Sequence, residues 1–278
     1  MVQTITCTTI TITDIHTYMA DFESLTRNPK KSYRPPLNRQ ISQAMIAPTP
    51  SPLLPDTLMK LMWLASPALA VGGFSYSEGL ESAVEQGWVI DEPSATQWLI
   101  DQMQLSQAKG DWSLVAQAIK TWAQFQKTEL QELNTWVLMT RETHEFRLQC
   151  VQMGRSLLNW LNTHQSLQDP RVQWCSSLDT PTWPVVYALA LHLSNADVQS
   201  GLVALAFGWA ENMAQTAMKT IPLGQIAGQK ILNQLISNIP QAIELAMKTT
   251  ASERQLFNPH LSILSSQHEH QYSRLFRS

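Results

Sequence analysis

From about residue 56 to residue 250 the apolar positions recur every third or fourth residue, the period of a helix that buries one face. The first stripe carries Leu58, Leu61, Met62 and Leu64, with Asp56 placed to cap it. After a Pro/Gly break at Pro67–Gly73, Ser75 or Ser77 is positioned to cap a second helix that runs to about Gln86 and ends at Gly87. Pro93 suits the first turn of a third, with Trp98, Leu99, Met103 and Leu105 along it. Gly110 and Asp111 predict a division from a fourth helix reaching about Phe125. The longest stripe, over 128–162, aligns Leu130, Leu133, Val137, Leu148, Val151, Leu158 and Leu161, but its middle carries Thr140 and His144. Beyond a loop with Pro170, Pro181 and Pro184, helices are expected over 185–194, 198–219, 223–238 and 240–250. Alternation of β-branched residues is nearly absent after residue 56. The pattern predicts an all-α, single-domain bundle of about eight to ten helices.

Residues 1–55 break the pattern. A Thr/Ile-rich stretch over 4–13 is followed by Pro29, Pro35, Pro36, Pro48, Pro50, Pro52 and Pro55, and proline removes backbone donors that regular pairing needs. The chain therefore divides into a Pro/Thr-rich leader over 1–55, expected to be disordered, and a helical domain over 56–278. Met45, just ahead of the helical pattern, is a candidate initiator, in which case 1–44 would not belong to the native protein.

Composition narrows the function classes. Of 278 residues, 44% are apolar and 15% charged, which provides for a large core under a lightly charged surface. Ten tryptophans and eleven methionines are more than a core alone requires, so some are expected at partner interfaces. A net charge of −3 gives no electrostatic footprint for nucleic acid. No apolar run approaches the roughly 18–20 residues of a membrane span. No basic n-region leads into an apolar h-region, and Cys7, Cys150 and Cys175 form neither a C-x-x-C nor an even set. A cytoplasmic protein is the expectation.

Motifs for chemistry are mostly missing. There is no G-x-x-x-x-G-K-[S/T] loop to cradle phosphates. Gly73-Phe74-Ser75-Tyr76-Ser77 narrowly misses a nucleophile elbow, because Ser77 stands where the final glycine is needed and no strand precedes it. A hydrolase using Ser75 or Ser77 is one rival reading, and helix capping is the plainer one. His268-Glu269-His270 is the only dense histidine cluster, which leaves a metal-binding metallochaperone as a second rival. An i, i+2 pair points to different faces of a helix and supplies too few ligands for a closed metal site, so a solvated or partner-contacting face is preferred. The polar knot from Arg141 to Arg147 interrupts the long stripe, and part of it is expected to face another helix or subunit. In Lys219-Thr220-Ile221-Pro222-Leu223-Gly224-Gln225, the proline forces a corner, while Gly224 and Gly228 would let two helices approach closely.

Four ordered blocks carry a resemblance to the urease accessory protein UreF family. They are S-P-A-L-A-V-G-G-F-S-Y-S-E-G-L-E over 66–81 with A-V-E-Q-G-W over 83–88, T-R-E-T-H-E-F-R over 140–147 leading into Q-M-G-R-S-L-L, K-T-I-P-L-G-Q-I-A-G-Q-K over 219–230, and H-E-H-Q-Y-S-R-L-F-R-S over 268–278. Ala70 stands where the family usually has proline, and the long leader is also unusual. The resemblance implies an all-helical, commonly homodimeric protein without catalytic residues, resident metal or cofactor. It implies binding to UreD (also called UreH), recruitment of the GTPase UreG, and docking on apo-urease to govern nickel insertion. The family's C-terminal segment orders on its partner, here over 257–278, and Tyr272, Arg274, Leu275 and Phe276 are the candidate contacts, with His268 and Glu269 beside them. Tyr76, Ser77, Gly79, Leu80 and Glu81 are expected to support that surface or a dimer core. Arg141, Glu142, Arg147, Lys219, Pro222, Leu223 and Gln225 complete the candidate partner-binding residues.

Overall fold

A run of apolar residues with no polar face sits at the centre of the molecule. In a computed structural model, which describes residues 53–69, 71–164 and 169–277, every residue from Pro184 to Leu191 is buried. A helix apolar all round must be covered on all sides, and here the neighbours are helices before and after it in sequence. The described elements are α1 (Pro55–Ala65), a 3₁₀ turn (Gly73–Ser75), α2 (Leu80–Glu85), α3 (Glu92–Gln102), α4 (Ser113–Gln124), α5 (Lys127–Thr140), α6 (His144–His164), α7 (Pro170–Ser176), α8 (Trp183–Leu193), α9 (Val198–Thr220), α10 (Gln225–Lys248) and α11 (Pro259–His268). A π-wound segment, Met103–Trp112, joins α3 to α4 without leaving helical dihedrals. Counted with that rod as one, the described residues form ten helical rods and no strand, so the all-α reading holds. Residues 1–52 of the leader and Ala70 lie outside the described residues, and the leader's last residue, Pro55, already belongs to α1.

The central α8 packs against α4 and α6, while α9 and α10 form a long antiparallel pair against which α1, α3 and the π-wound segment lie. Local chemistry fixes several starts. Asp91 and Ser94 form a reciprocal capping box at α3, with Ser94 N donating to Asp91 Oδ1 and Asp91 N to Ser94 Oγ, both at 3.0 Å. Asp197 caps α9 through Ser200 N at 2.9 Å, and Asn258 caps α11 ahead of Pro259.

The structure corrects five boundaries. First, α1 begins at Pro55, whose ring presets the helical φ, and Asp56 sits in the first turn, 2.7 Å from Lys60 Nζ, rather than at the cap. Second, neither Ser75 nor Ser77 caps α2; that place is taken by Gly79 in a left-handed conformation (φ 84°), and Ser75 belongs to the 3₁₀ turn. Third, Gly110 and Asp111 do not divide two helices. Gly110 instead makes room for the Leu256 side chain, which a Cβ there would strike. Fourth, the 128–162 stripe is two helices, because Arg141 is extended (φ −80°, ψ 106°) and turns into the protein. Fifth, 223–238 and 240–250 are one helix, with Pro240 exposed on its outer side and Leu235, Ile239, Ala242 and Ile243 buried on its inner side. The missing N–H falls where the packed face does not depend on it. The predicted corner glycines behave differently: Gly228 accepts Met218 against its backbone, while Gly224 stands open.

Candidate functional site

The turn between the 3₁₀ segment and α2 aims two carboxylates in different directions. Glu78 and Gly79 both have positive φ, 51° and 84°, and the turn is closed by Leu80 N donating to Ser77 O at 3.0 Å. Such a conformation costs glycine nothing and a glutamate about 1 kcal/mol or more, so a residue held there is fixed by its surroundings. Leu261 of α11 lies directly over Gly79, where a Cβ would collide with it. One residue type at this position therefore allows both the turn and the docking of α11.

The first carboxylate serves the C-terminal segment. Glu81, at the start of α2, is buried; it accepts from Leu275 N at 2.7 Å and Phe276 N at 3.0 Å, and it lies 3.0 Å from His268 Nε2. The other ring nitrogen of His268, Nδ1, is 2.9 Å and 3.1 Å from the two oxygens of Glu145. Arg274 Nη1 donates to Glu145 Oε1 at 3.2 Å, and Glu145 N donates to Glu269 Oε1 at 3.4 Å. Arg277 N donates to Ser75 O at 2.8 Å, and the buried Tyr76 hydroxyl donates to Gln152 Oε1 at 2.5 Å. The Phe276 ring is buried with Lys219 Nζ 5.7 Å from its centroid. Thr143 and Ser265 share a hydrogen bond of 2.8 Å, and Ser262 donates to Glu142, so the α5–α6 break also grips α11. Within this frame Tyr272 and Leu275 point outward, 106% and 70% exposed.

The second carboxylate lines a cavity of about 170 Å³. Glu78 Oε2 accepts from Gln102, Gln107 and Trp209, and Oε1 from Gln149, at 3.0–3.2 Å. Burial pushes its carboxyl up from the ordinary range despite the donors from Trp209 and Gln149. Across the cavity Arg141 Nη2 lies 2.8 Å from both oxygens of Asp111, with both side chains nearly enclosed. Burial acts most strongly against the guanidinium charge, but the Asp111 carboxylate and the Cys150 thiol beside it together outweigh that, and the net shift is upward. Gln102 Oε1 and Arg141 Nε face no protein partner. The space is large and polar enough to offer both of them water.

The predicted residues thus separate. Tyr76, Gly79, Leu80 and Glu81 come together with His268, Glu269, Arg274, Leu275 and Phe276, with Ser77 buried in the same turn. Lys219 and Glu142 reach this cluster from its rim. Arg141 belongs to the cavity. Arg147, Pro222 and Gln225 are exposed and Leu223 half-buried, and none joins either cluster. His268 departs from the expected solvated face: it is fully buried, while His270 is exposed. Its two ring nitrogens already face carboxylates, so it does not converge with His270 on a shared ligand position. No three metal-binding side chains do so among the described residues. Glu78, Glu145, Asp111 and Gln149 are not among the site residues that the sequence points to, although Glu78 and Glu145 lie within the family blocks.

Comparisons with known proteins point to the same family. A sequence model of UreF matches residues 89–236. The chain is 54% identical over 231 residues to a urease accessory protein UreF of Polaromonas sp. (strain JS666), an alignment covering 83% of this chain and 99% of the relative. To the protein of the same description in Paracidovorax citrulli it is 52% identical over 237 residues, covering 84% and 93%. The corresponding Azoarcus sp. (strain BH72) protein is 41% identical over 229 residues, covering 81% and 97%. No described helix is long and apolar enough to cross a membrane. The chain belongs to the UreF family of urease accessory proteins.

Proposed function

We propose that this protein is a non-catalytic scaffold that binds UreD through its C-terminal segment, recruits the GTPase UreG, and couples GTP hydrolysis to nickel insertion into apo-urease in the cytoplasm. The observation that carries this reading is the contrast within residues 272–276. The backbone and Arg274 are tied to Glu81 and Glu145, while Tyr272 and Leu275 are presented to solvent. An anchored backbone with outward aromatic and aliphatic side chains loses little further conformational freedom when a partner covers it. Tyr and Leu in such a place supply the apolar contact area that interface centres use. A homodimer is carried over from the family resemblance. Nickel is treated as cargo of the assembled complex, not as a metal held by this chain.

Two observations favour the scaffold over the serine-hydrolase rival. A nucleophile elbow needs a strand to project its serine, and the described residues hold none; Ser77 is moreover buried. The scaffold reading is tested by Tyr272→Ala combined with Arg274→Ala. We expect co-purification with UreD to be lost and urease activation in a strain lacking the native gene to fall at least tenfold. Unchanged UreD binding and activation would remove the tail from the proposed interface.

A further inference from the structure

His268 occupies a position that only its charged form satisfies. Carboxylate oxygens accept hydrogen bonds and cannot donate them, and a neutral imidazole carries a single N–H. Yet Nδ1 lies 2.9 Å from Glu145 and Nε2 lies 3.0 Å from Glu81, in a fully buried ring. If the ring were neutral, one nitrogen lone pair would face a carboxylate oxygen at hydrogen-bond distance with no water to screen it. The charged groups around the ring come from four places: Glu81 on α2, Glu145 on α6, Arg274 in the C-terminal segment and Glu269 next in the chain. Glu81, Glu145 and Glu269, set against Arg274 and an imidazolium, leave one negative charge in excess; with a neutral ring they leave two. Glu81 and Glu145 also hold the backbone and side chain of residues 274–276.

We propose that His268 is a proton-operated latch on the C-terminal segment: its imidazolium, bridging Glu81 and Glu145, keeps residues 274–277 docked, and loss of that proton loosens them. This rests on the reading of that segment as the partner-binding element, and it adds a control on when the segment is free to be rearranged by a partner. The electrostatic balance agrees. Burial drives the His268 pKa down, but hydrogen bonds and charge from Glu145 and Glu81 outweigh it, and the net shift is upward from 6.5. A pKa raised in the docked state gives a stabilisation that is complete below the undocked value. That stabilisation is lost as pH rises through the docked value. Docking therefore weakens from just above pH 6.5 upward.

The test is amide hydrogen exchange over residues 272–277 in the full chain between about pH 5.5 and 9, corrected for intrinsic exchange, alongside an NMR titration of the His268 ring. We expect protection of these amides to fall about tenfold for each unit by which the His268 pKa exceeds its undocked value. His268→Gln should show weak protection that no longer depends on pH. The ring should titrate above pH 6.5, in step with the loss of protection. A flat wild-type profile, or a ring that titrates at or below 6.5, overturns the latch. If His268→Gln fails to fold, the wild-type titration and exchange profile decide by themselves. A flat profile together with loss of UreD binding in the Tyr272/Arg274 variant would discard the latch and keep the interface. A titrating latch with UreD binding intact in that variant would do the reverse.

Discussion

Glu81→Ala is expected to free the C-terminal segment and to destabilise the chain by about 3–5 kcal/mol, the range for removing one partner of a buried charged pair. Glu81 is 6% exposed and serves the Leu275 and Phe276 amides and His268 at once. Its loss leaves two amides and one imidazole nitrogen without an acceptor. The largest single part of the cost is that of burying His268 with half its charge partners gone. Urea unfolding followed by circular dichroism measures the stability, and exchange at 272–277 measures the release. Glu81→Gln keeps one oxygen acceptor and is expected to lose less. A stability change under about 1 kcal/mol for the alanine variant would mean that the carboxylate does not anchor the segment.

Arg141→Met carries the second large expectation, again about 3–5 kcal/mol. The long apolar stem is kept, so the effect isolates the charge. Asp111 would remain nearly enclosed without its partner, and Glu78 shares the same cavity wall with four donors but no cation. The Glu78 carboxyl is already pushed up by burial, Asp111 raises it and Arg141 lowers it, so removing Arg141 raises it further. An acid whose folded pKa is raised destabilises the fold where it is ionised and less where it is protonated. The deficit relative to the unaltered chain should therefore shrink as pH is lowered from 7 towards 5. Adding Asp111→Leu should recover part of the loss, and a double-mutant cycle measures how much. An equal deficit at both pH values would show that packing, and not charge, is what Arg141 contributes.

Much of the fold was legible because a 3.6-residue period survives wherever a helix buries one face. Residues 185–194 and 198–219 lie within one or two residues of α8 and α9. The failures share a physical cause. Local propensity favours a break at Gly110 and at Pro240 and continuity through Arg141–Thr143, whereas each is decided by packing that the local sequence does not show. Gly110 stays helical because Leu256 packs on it. Pro240 is tolerated because the buried face of α10 lies on the other side. The helix breaks at Arg141 because Asp111, 30 residues earlier, holds its side chain inside. The candidate site follows the same rule. The family blocks marked Glu81, Arg274 and Phe276, but His268 looked solvated because its partners are 187 and 123 residues away. Glu78 was hidden for a similar reason, since the four donors that occupy it come from α3, the π-wound segment, α6 and α9.

The most direct test of the central claim is hydrogen exchange on the full chain with and without UreD. Added protection on binding is expected to concentrate at residues 271–277 and on the 76–81 turn beneath them. Protection confined to other surfaces, with 271–277 exchanging equally fast in both states, would contradict it.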